Sequence, residues 1–148
     1  MKIALYTPYL DSASGGEKYM MTIAEHLSSN QTVDVLLDQH LFNIGIGKMV
    51  KRLETLHGLN LKRVNFIKAP LGKNSSIIDR LIFLKNYDWL FYLTDGSIFF
   101  STAKNSVIHF QMPFENINKG AWGRKKISTF KHAIYNSLFT KQIVEKGW

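Results

Sequence analysis

Few residues of this chain combine the chemistry and the spacing that a reactive site needs. Gly15 and Gly16 follow a β-rich run, Lys2-Ile-Ala-Leu-Tyr-Thr7, and a loop from Pro8. After them Met20, Ile23, Ala24 and Leu27 fall on one helical face. Two glycines in the first turn of a helix bare backbone N–H groups where the helix dipole is positive, which suits a phosphate. The same pair also serves simply to turn the chain, and a lone Gly-Gly does not separate the two readings. Ser14 and Glu17 have the spacing of a capping box, Ser14 at the N-cap and Glu17 reaching back. Neither G-x-x-x-x-G-K-[ST] nor G-x-G-x-x-G is present. Asp38 follows at roughly the interval of a dinucleotide fold's ribose-binding carboxylate, a minor alternative that the long first loop disfavours.

His109 lies in Val107-Ile-His-Phe-Gln-Met-Pro113, at the end of a buried strand. There it either meets a ligand at the crevice, where it can carry a proton near neutral pH, or is a core histidine bonded to a backbone carbonyl. The sequence leaves both open. His26, His40, His57 and His132 read as surface residues. Asp95-Gly96-Ser97 is first of all a turn, although a carboxylate at a strand end can also hold a sugar hydroxyl. No carboxylate pair has hydrolase spacing, and the H-E-x-x-H and G-x-S-x-G patterns are absent. Without cysteine there is no disulfide framework and no thiolate metal site.

Lys119-Gly-Ala-Trp122-Gly-Arg124-Lys125-Lys126 sets one large aromatic among cations. Trp122 suits a membrane interface, and Arg124, Lys125 and Lys126 suit anionic lipid at about 1 kcal/mol each. The composition also suits single-stranded nucleic acid, with Trp122 as a stacking platform. A solvated basic loop is the simplest reading. The net charge of +8 is unevenly placed: residues 1–40 carry two cations against five carboxylates, residues 41–148 seventeen against six. That asymmetry favours an anionic partner, whether nucleic acid, a phosphorylated sugar carrier or an acidic membrane.

The elements that must position these residues alternate. Strands are expected at Lys2–Thr7, Thr32–Leu37, Val64–Ile67, Trp89–Leu93, Val107–Phe110 and Ala133–Tyr135. Helices are expected from Glu17, over Ile46–His57, after the Ser75-Ser76 cap, briefly from Ser97 towards Lys104, as a helix or loop over Lys119–Lys131, and over Leu138–Lys146. Six short apolar strands separated by helices imply an α/β domain, a Rossmann-like parallel sheet with helices on both faces. Ligands collect at the carboxyl ends of such strands. That edge gathers Gly15, Gly16, Asp95, Gly96, Ser97, His109 to Pro113, Asn136 and Ser137. The 148 residues, 45% hydrophobic with three prolines, make one ordinary folded domain. No apolar run is long enough to span a membrane and no signal peptide is visible, so a cytoplasmic location is the simplest inference.

With these elements in place, the chain resembles the N-terminal domain of GT-B fold glycosyltransferases of family 4 (group 1). The similarity rests on Met1-Lys-Ile-Ala-Leu-Tyr-Thr-Pro8, Gly15-Gly16-Glu17-Lys18, Tyr87-Asp88 leading to Thr94-Asp95-Gly96-Ser97, His109-Phe-Gln-Met-Pro113, and Asn136-Ser-Leu-Phe-Thr-Lys141. The resemblance implies a retaining transferase that moves a sugar from a nucleotide-sugar donor to an acceptor glycan, lipid or other molecule, with no metal ion and no further cofactor. It implies that residues 1–148 hold the acceptor, that Gly15 and Gly16 close on the donor phosphates, and that His109 contacts the transferred sugar. Asp95, Gly96 and Ser137 are the acceptor or sugar contacts then expected. From composition alone, Trp122, Arg124, Lys125 and Lys126 remain the candidate patch for an anionic membrane at its inner face. The family's second domain, with most of the nucleotide-sugar site and an E-x7-E glutamate pair, would follow Trp148. Residues 1–148 alone are therefore expected to bind acceptor with little or no transfer. The competing reading is a basic nucleotide- or nucleic-acid-binding Rossmann-like module without catalysis, nucleic acid being the less favoured partner. A dinucleotide oxidoreductase using Asp38 stands third.

Overall fold

The computed structural model describes residues 1–12, 14–115, 117 and 120–146. Six strands form one parallel sheet: β1 (Lys2–Tyr6), β2 (Thr32–Leu37), β3 (Asn65–Lys68), β4 (Trp89–Leu93), β5 (Asn105–Phe110) and β6 (His132–Tyr135). They lie in the order β3-β2-β1-β4-β5-β6. The chain winds outward from β1 in one direction, then returns beside it and winds outward in the other. The order therefore reverses between β1 and β4, where such sheets open a crevice. The expected Rossmann-like α/β sheet is the fold observed.

Helices α1 (Gly15–Leu27), α2 (Gln39–Ile44), α3 (Ile46–His57), α4 (Ile77–Leu84) and α5 (Ala121–Ile127) lie between strands, and α6 (Leu138–Glu145) follows β6. Side-chain alternation sends Ile3, Leu5, Val33, Val35 and Leu37 to one face, where Met20, Met21 and Ala24 of α1 and Met49 and Leu53 of α3 meet them. Ala4, Tyr6, Leu90, Tyr92, Ile108 and Phe110 point to the other face, against Leu84 of α4, Phe99, Phe130 and Val144 of α6. Covering both faces is what makes the strands read as nearly continuous apolar runs.

Two local expectations are corrected, and one helix is added to those expected. Residues 98–104 form no helix. Ile98 and Phe99 sink into the second core instead, and the chain spends its polar groups on distant elements: the Thr102 hydroxyl donates to the Leu81 carbonyl, and Ser101 N–H to Thr129 Oγ1. Helix α2 follows directly on β2, where Asp38 accepts from the Leu41 N–H at 2.9 Å as its N-cap. Finally, the capping box at α1 does not form. Ser14 takes the extended N-cap conformation but makes no side-chain cap bond, its hydroxyl pairing with Ser12 at 2.9 Å. Glu17 turns inward and is fully buried.

Candidate functional site

The loop that carries the chain from β1 into α1 is held from outside. Arg52 of α3 donates to the Leu10 carbonyl at 2.6 Å, to the Asp11 carbonyl at 2.8 Å and to the Glu17 carboxylate at 3.2 Å. His57 Nε2 meets the other Glu17 oxygen at 2.9 Å, and the His57 side chain is 9% exposed, so it is not the surface residue expected. His40 does stay at the surface, paired with Asp11 at 2.9 Å, and that bond raises its pKa. Buried carboxylate, guanidinium and imidazole together fix where the helix begins. The glycine turn is thus pre-positioned by Arg52 and His57, 36 to 42 positions downstream of it.

Gly15 and Gly16 open α1 as expected. A side chain at Gly15 would meet nothing within 4 Å, whereas one at Gly16 would lie 3.1 Å from Gln111 Oε1 and 3.3 Å from a Leu93 methyl. Gly16 is therefore the position where the helix approaches the sheet edge. The two glycines border a cleft of about 770 Å³ with Tyr9, Thr94, Gln111 and Asn136, within the range of small-ligand sites.

His109 lies next to that cleft, not in its wall. Its register partner Leu93 lines the cleft, as does Gln111 two residues on. The imidazole itself is turned to the α1 face and is 5% exposed. Tyr19 of α1 packs on it edge-to-face at 5.2 Å and Phe91 at 6.2 Å. Among the described residues neither ring nitrogen finds a hydrogen-bond partner. Burial lowers its pKa, so the ring is neutral near neutral pH. Among the described residues no backbone carbonyl serves it, so the core-histidine alternative lacks the bond that would make a buried imidazole comfortable.

The other edge residues take structural posts. Asp95 accepts from the Ser97 N–H at 3.0 Å and the Ser97 hydroxyl at 2.6 Å, closing a turn on itself. Gly96 sits at φ +94°, a conformation that favours glycine. Ser137 caps α6 through the Thr140 N–H at 3.1 Å. Its neighbour Asn136, which lines the glycine cleft and donates to the Gln111 carbonyl at 2.6 Å, stands closer to the site. Of the residues matched in the resemblance, Tyr87 and Asp88 stitch the base of the sheet: Tyr87 donates to buried Asp34 at 2.9 Å, and Asp88 accepts from the Lys2 N–H at 2.8 Å. Asp38, spent on the α2 cap and on the Tyr6 hydroxyl at 3.3 Å, is poorly placed to take a ribose.

A second cleft, of about 550 Å³, opens on the opposite side of the edge between Tyr6, Asp38, Arg80, Asp95 and Lys126. Arg80 is held by the Pro70 carbonyl at 3.2 Å and lies over the Phe99 ring at 5.4 Å. Trp122, Arg124, Lys125 and Lys126 fall on α5, with Trp122 exposed and Lys125 Nζ 5.4 Å above its ring. Lys119, the start of that basic stretch in the sequence, and Trp148 lie outside the described residues. No cluster of three or more His, Asp or Glu able to hold a metal ion occurs among the described residues. No helix among them is long and apolar enough to cross a membrane. Comparison with protein families, with curated proteins and with solved structures finds no match to this chain.

Proposed function

We propose that this chain is the acceptor-side half of a sugar transferase that draws on a nucleotide-sugar donor. The observation that carries the reading is His109: a buried imidazole whose two nitrogens have no partner among the described residues, beside a cleft rimmed by a glycine turn at the carboxyl edge of the sheet. Leaving such a ring unpaired costs about 1–3 kcal/mol, and an unsatisfied buried group calls for a reason. A ligand hydroxyl supplies one. In this reading the N–H groups at Gly15 and Gly16 take the donor's diphosphate, and Tyr19 moves aside to let His109 bond the sugar. Transfer places negative charge on the leaving diphosphate and positive charge on the sugar. Backbone N–H groups stabilise the first, while a neutral imidazole orients the second without repelling it. The nucleoside and the glutamate pair belong, on the resemblance, to a second domain.

Titration of the isotopically labelled protein with pyrophosphate and with a saccharide panel tests this. Amide shifts are expected at Gly15, Gly16, Thr94 and Asn136, with His109 ring signals moving only with saccharide. In a two-domain enzyme, His109→Ala should lower turnover by roughly a hundredfold, the effect of misplacing a reacting group by about 1 Å. Robust transfer by residues 1–148 alone, or saccharides that leave the cleft untouched, overturns the reading. The strand order is also that of dinucleotide-binding folds, which keeps a nucleotide- or nucleic-acid-binding module as the second reading. Binding of single-stranded nucleic acid that weakens steeply with salt would favour it.

A further inference from the structure

Helix α4 carries Ile77, Ile78, Leu81, Ile82 and Leu84, yet most of its apolar surface faces outward. Ile77, Ile78 and Ile82 are 61%, 68% and 65% exposed, and only Leu84 of the eight residues is buried. Ile78 and Ile82, four apart, share one flank of the helix with Lys85 beyond them. On α5, Trp122 is 69% exposed. Residues 98–104 join the two helices into one layer over the sheet. Thr102 bonds Leu81 of α4, Ser101 bonds Thr129 just after α5, and Phe100 meets the Trp122 ring edge-on at 6.1 Å. Monomeric surfaces seldom keep this many large apolar side chains together without use.

We propose that the α4–α5 layer docks on the surface of an anionic lipid bilayer. Charge selects that occupant. Lys85, Arg124 and Lys125 are exposed around the apolar residues, α5 contains no acid, and Asp79 is the one carboxylate on α4. A second copy of the same face would bring these cations against each other, whereas anionic headgroups neutralise them. Lys125 held over the Trp122 ring places an aromatic at interfacial depth with a cation at headgroup level. Helices of eight and seven residues are far too short to span, so they lie in the interface plane. Ile77 and Lys126 also border the second cleft, so docking brings that cleft to the bilayer surface. The proposal stands on the exposed apolar layer and its charge, independently of the transfer reading.

Co-sedimentation with vesicles of phosphatidylcholine, with and without phosphatidylglycerol, tests it. The protein should bind the mixed vesicles at low salt, release as salt rises, and bind neutral vesicles weakly. Reversing Arg124, Lys125 and Lys126 to Glu should weaken binding by at least about a hundredfold, since three cations near the surface are lost. Ile78→Asp with Ile82→Asp should abolish binding while leaving the melting temperature near wild type, because both side chains are exposed. Trp122→Ala provides the same test on α5. No binding to anionic vesicles at low salt, or unchanged binding by both the isoleucine and the charge variants, overturns the proposal. A concentration-dependent dimer that the isoleucine variants dissolve, with no vesicle binding, assigns the face to a second copy instead.

Discussion

Nη2 of Arg52 on α3 lies 3.2 Å from Oε2 of Glu17 on α1, and the carboxylate it meets is fully buried. The same guanidinium nitrogen takes the Leu10 carbonyl, so one side chain both neutralises the buried charge and sets the loop before the glycine turn. Arg52→Met removes the cation and leaves the anion inside. Breaking a buried pair in this way costs about 3–5 kcal/mol, and the partial exposure of Arg52 points to the lower end. Glu17→Gln, which removes the charge but keeps the shape, should cost less. Urea denaturation measures both. A loss below about 1 kcal/mol for Arg52→Met, the size of a surface pair, would mean that His57 alone satisfies Glu17.

The glycines at the carboxyl edge separate by the space around them. Gly15→Ala should hold or raise stability by up to about 1 kcal/mol, because alanine is the better helix residue and nothing crowds the position. Gly16→Val should destabilise, since its added carbon presses on Leu93 as well as on the movable end of Gln111. Gly96→Ala combines φ +94° with a Cβ 3.0 Å from the Phe114 ring, and should cost more than 1 kcal/mol. Thermal melts of the three variants give the order. If Gly16→Val melts with wild type, the close approach of α1 to the sheet edge is wrong.

Strands and their sequence order were legible because both faces of the sheet are covered, which makes each strand a short apolar run between turn residues. Helix α2 was not, because Asp38 reads equally as a strand end and as an N-cap. Periodicity likewise gives α4 its apolar residues Ile77, Ile78 and Ile82 but not what covers them. Glu17 shows the same limit at the site. Its spacing from Ser14 fits a capping box, but its partners Arg52 and His57 come from another helix, and only the tertiary fold brings them there. Gly15, Gly16 and the strand position of His109 could be read in advance. That His109 is turned towards Tyr19, away from the cleft, could not, since the packing of α1 on the sheet decides it.

Tyr87 donates its hydroxyl to Asp34, which is 4% exposed and shared with Asn65 at 2.9 Å and Lys2 at 3.4 Å. Burial and the adjacent carboxylate push the Tyr87 pKa far up, so the phenol remains a donor at any ordinary pH. Tyr87→Phe should therefore cost about 1–3 kcal/mol by stripping one bond from a buried carboxylate. Denaturant unfolding at neutral pH checks it. A neutral substitution would show that Lys2 and Asn65 suffice.

His109 makes the last prediction, in which stability and function pull apart. Burial holds its pKa below the ordinary 6.5, so the folded ring stays neutral where the unfolded one is protonated. Above about pH 6.5 both states are neutral and the ring contributes no pH dependence. As pH falls below that, the unfolded chain takes up the proton first and stability drops, by at most about 1.4 kcal/mol per pH unit, until the folded pKa is reached. His40 works in the opposite sense: its raised pKa stabilises the fold below 6.5 and that contribution fades as pH rises through the folded value. The difference between wild type and a single variant isolates His109. His109→Leu fills similar space beside Tyr19 and Phe91 without two unpaired nitrogens, so it should be the more stable protein by about 1 kcal/mol at neutral pH. That gap should widen as the pH is lowered, while any saccharide-dependent shift in the cleft disappears. A gap that stays constant with pH would mean that the ring titrates normally. A variant that is less stable at every pH would return His109 to the core.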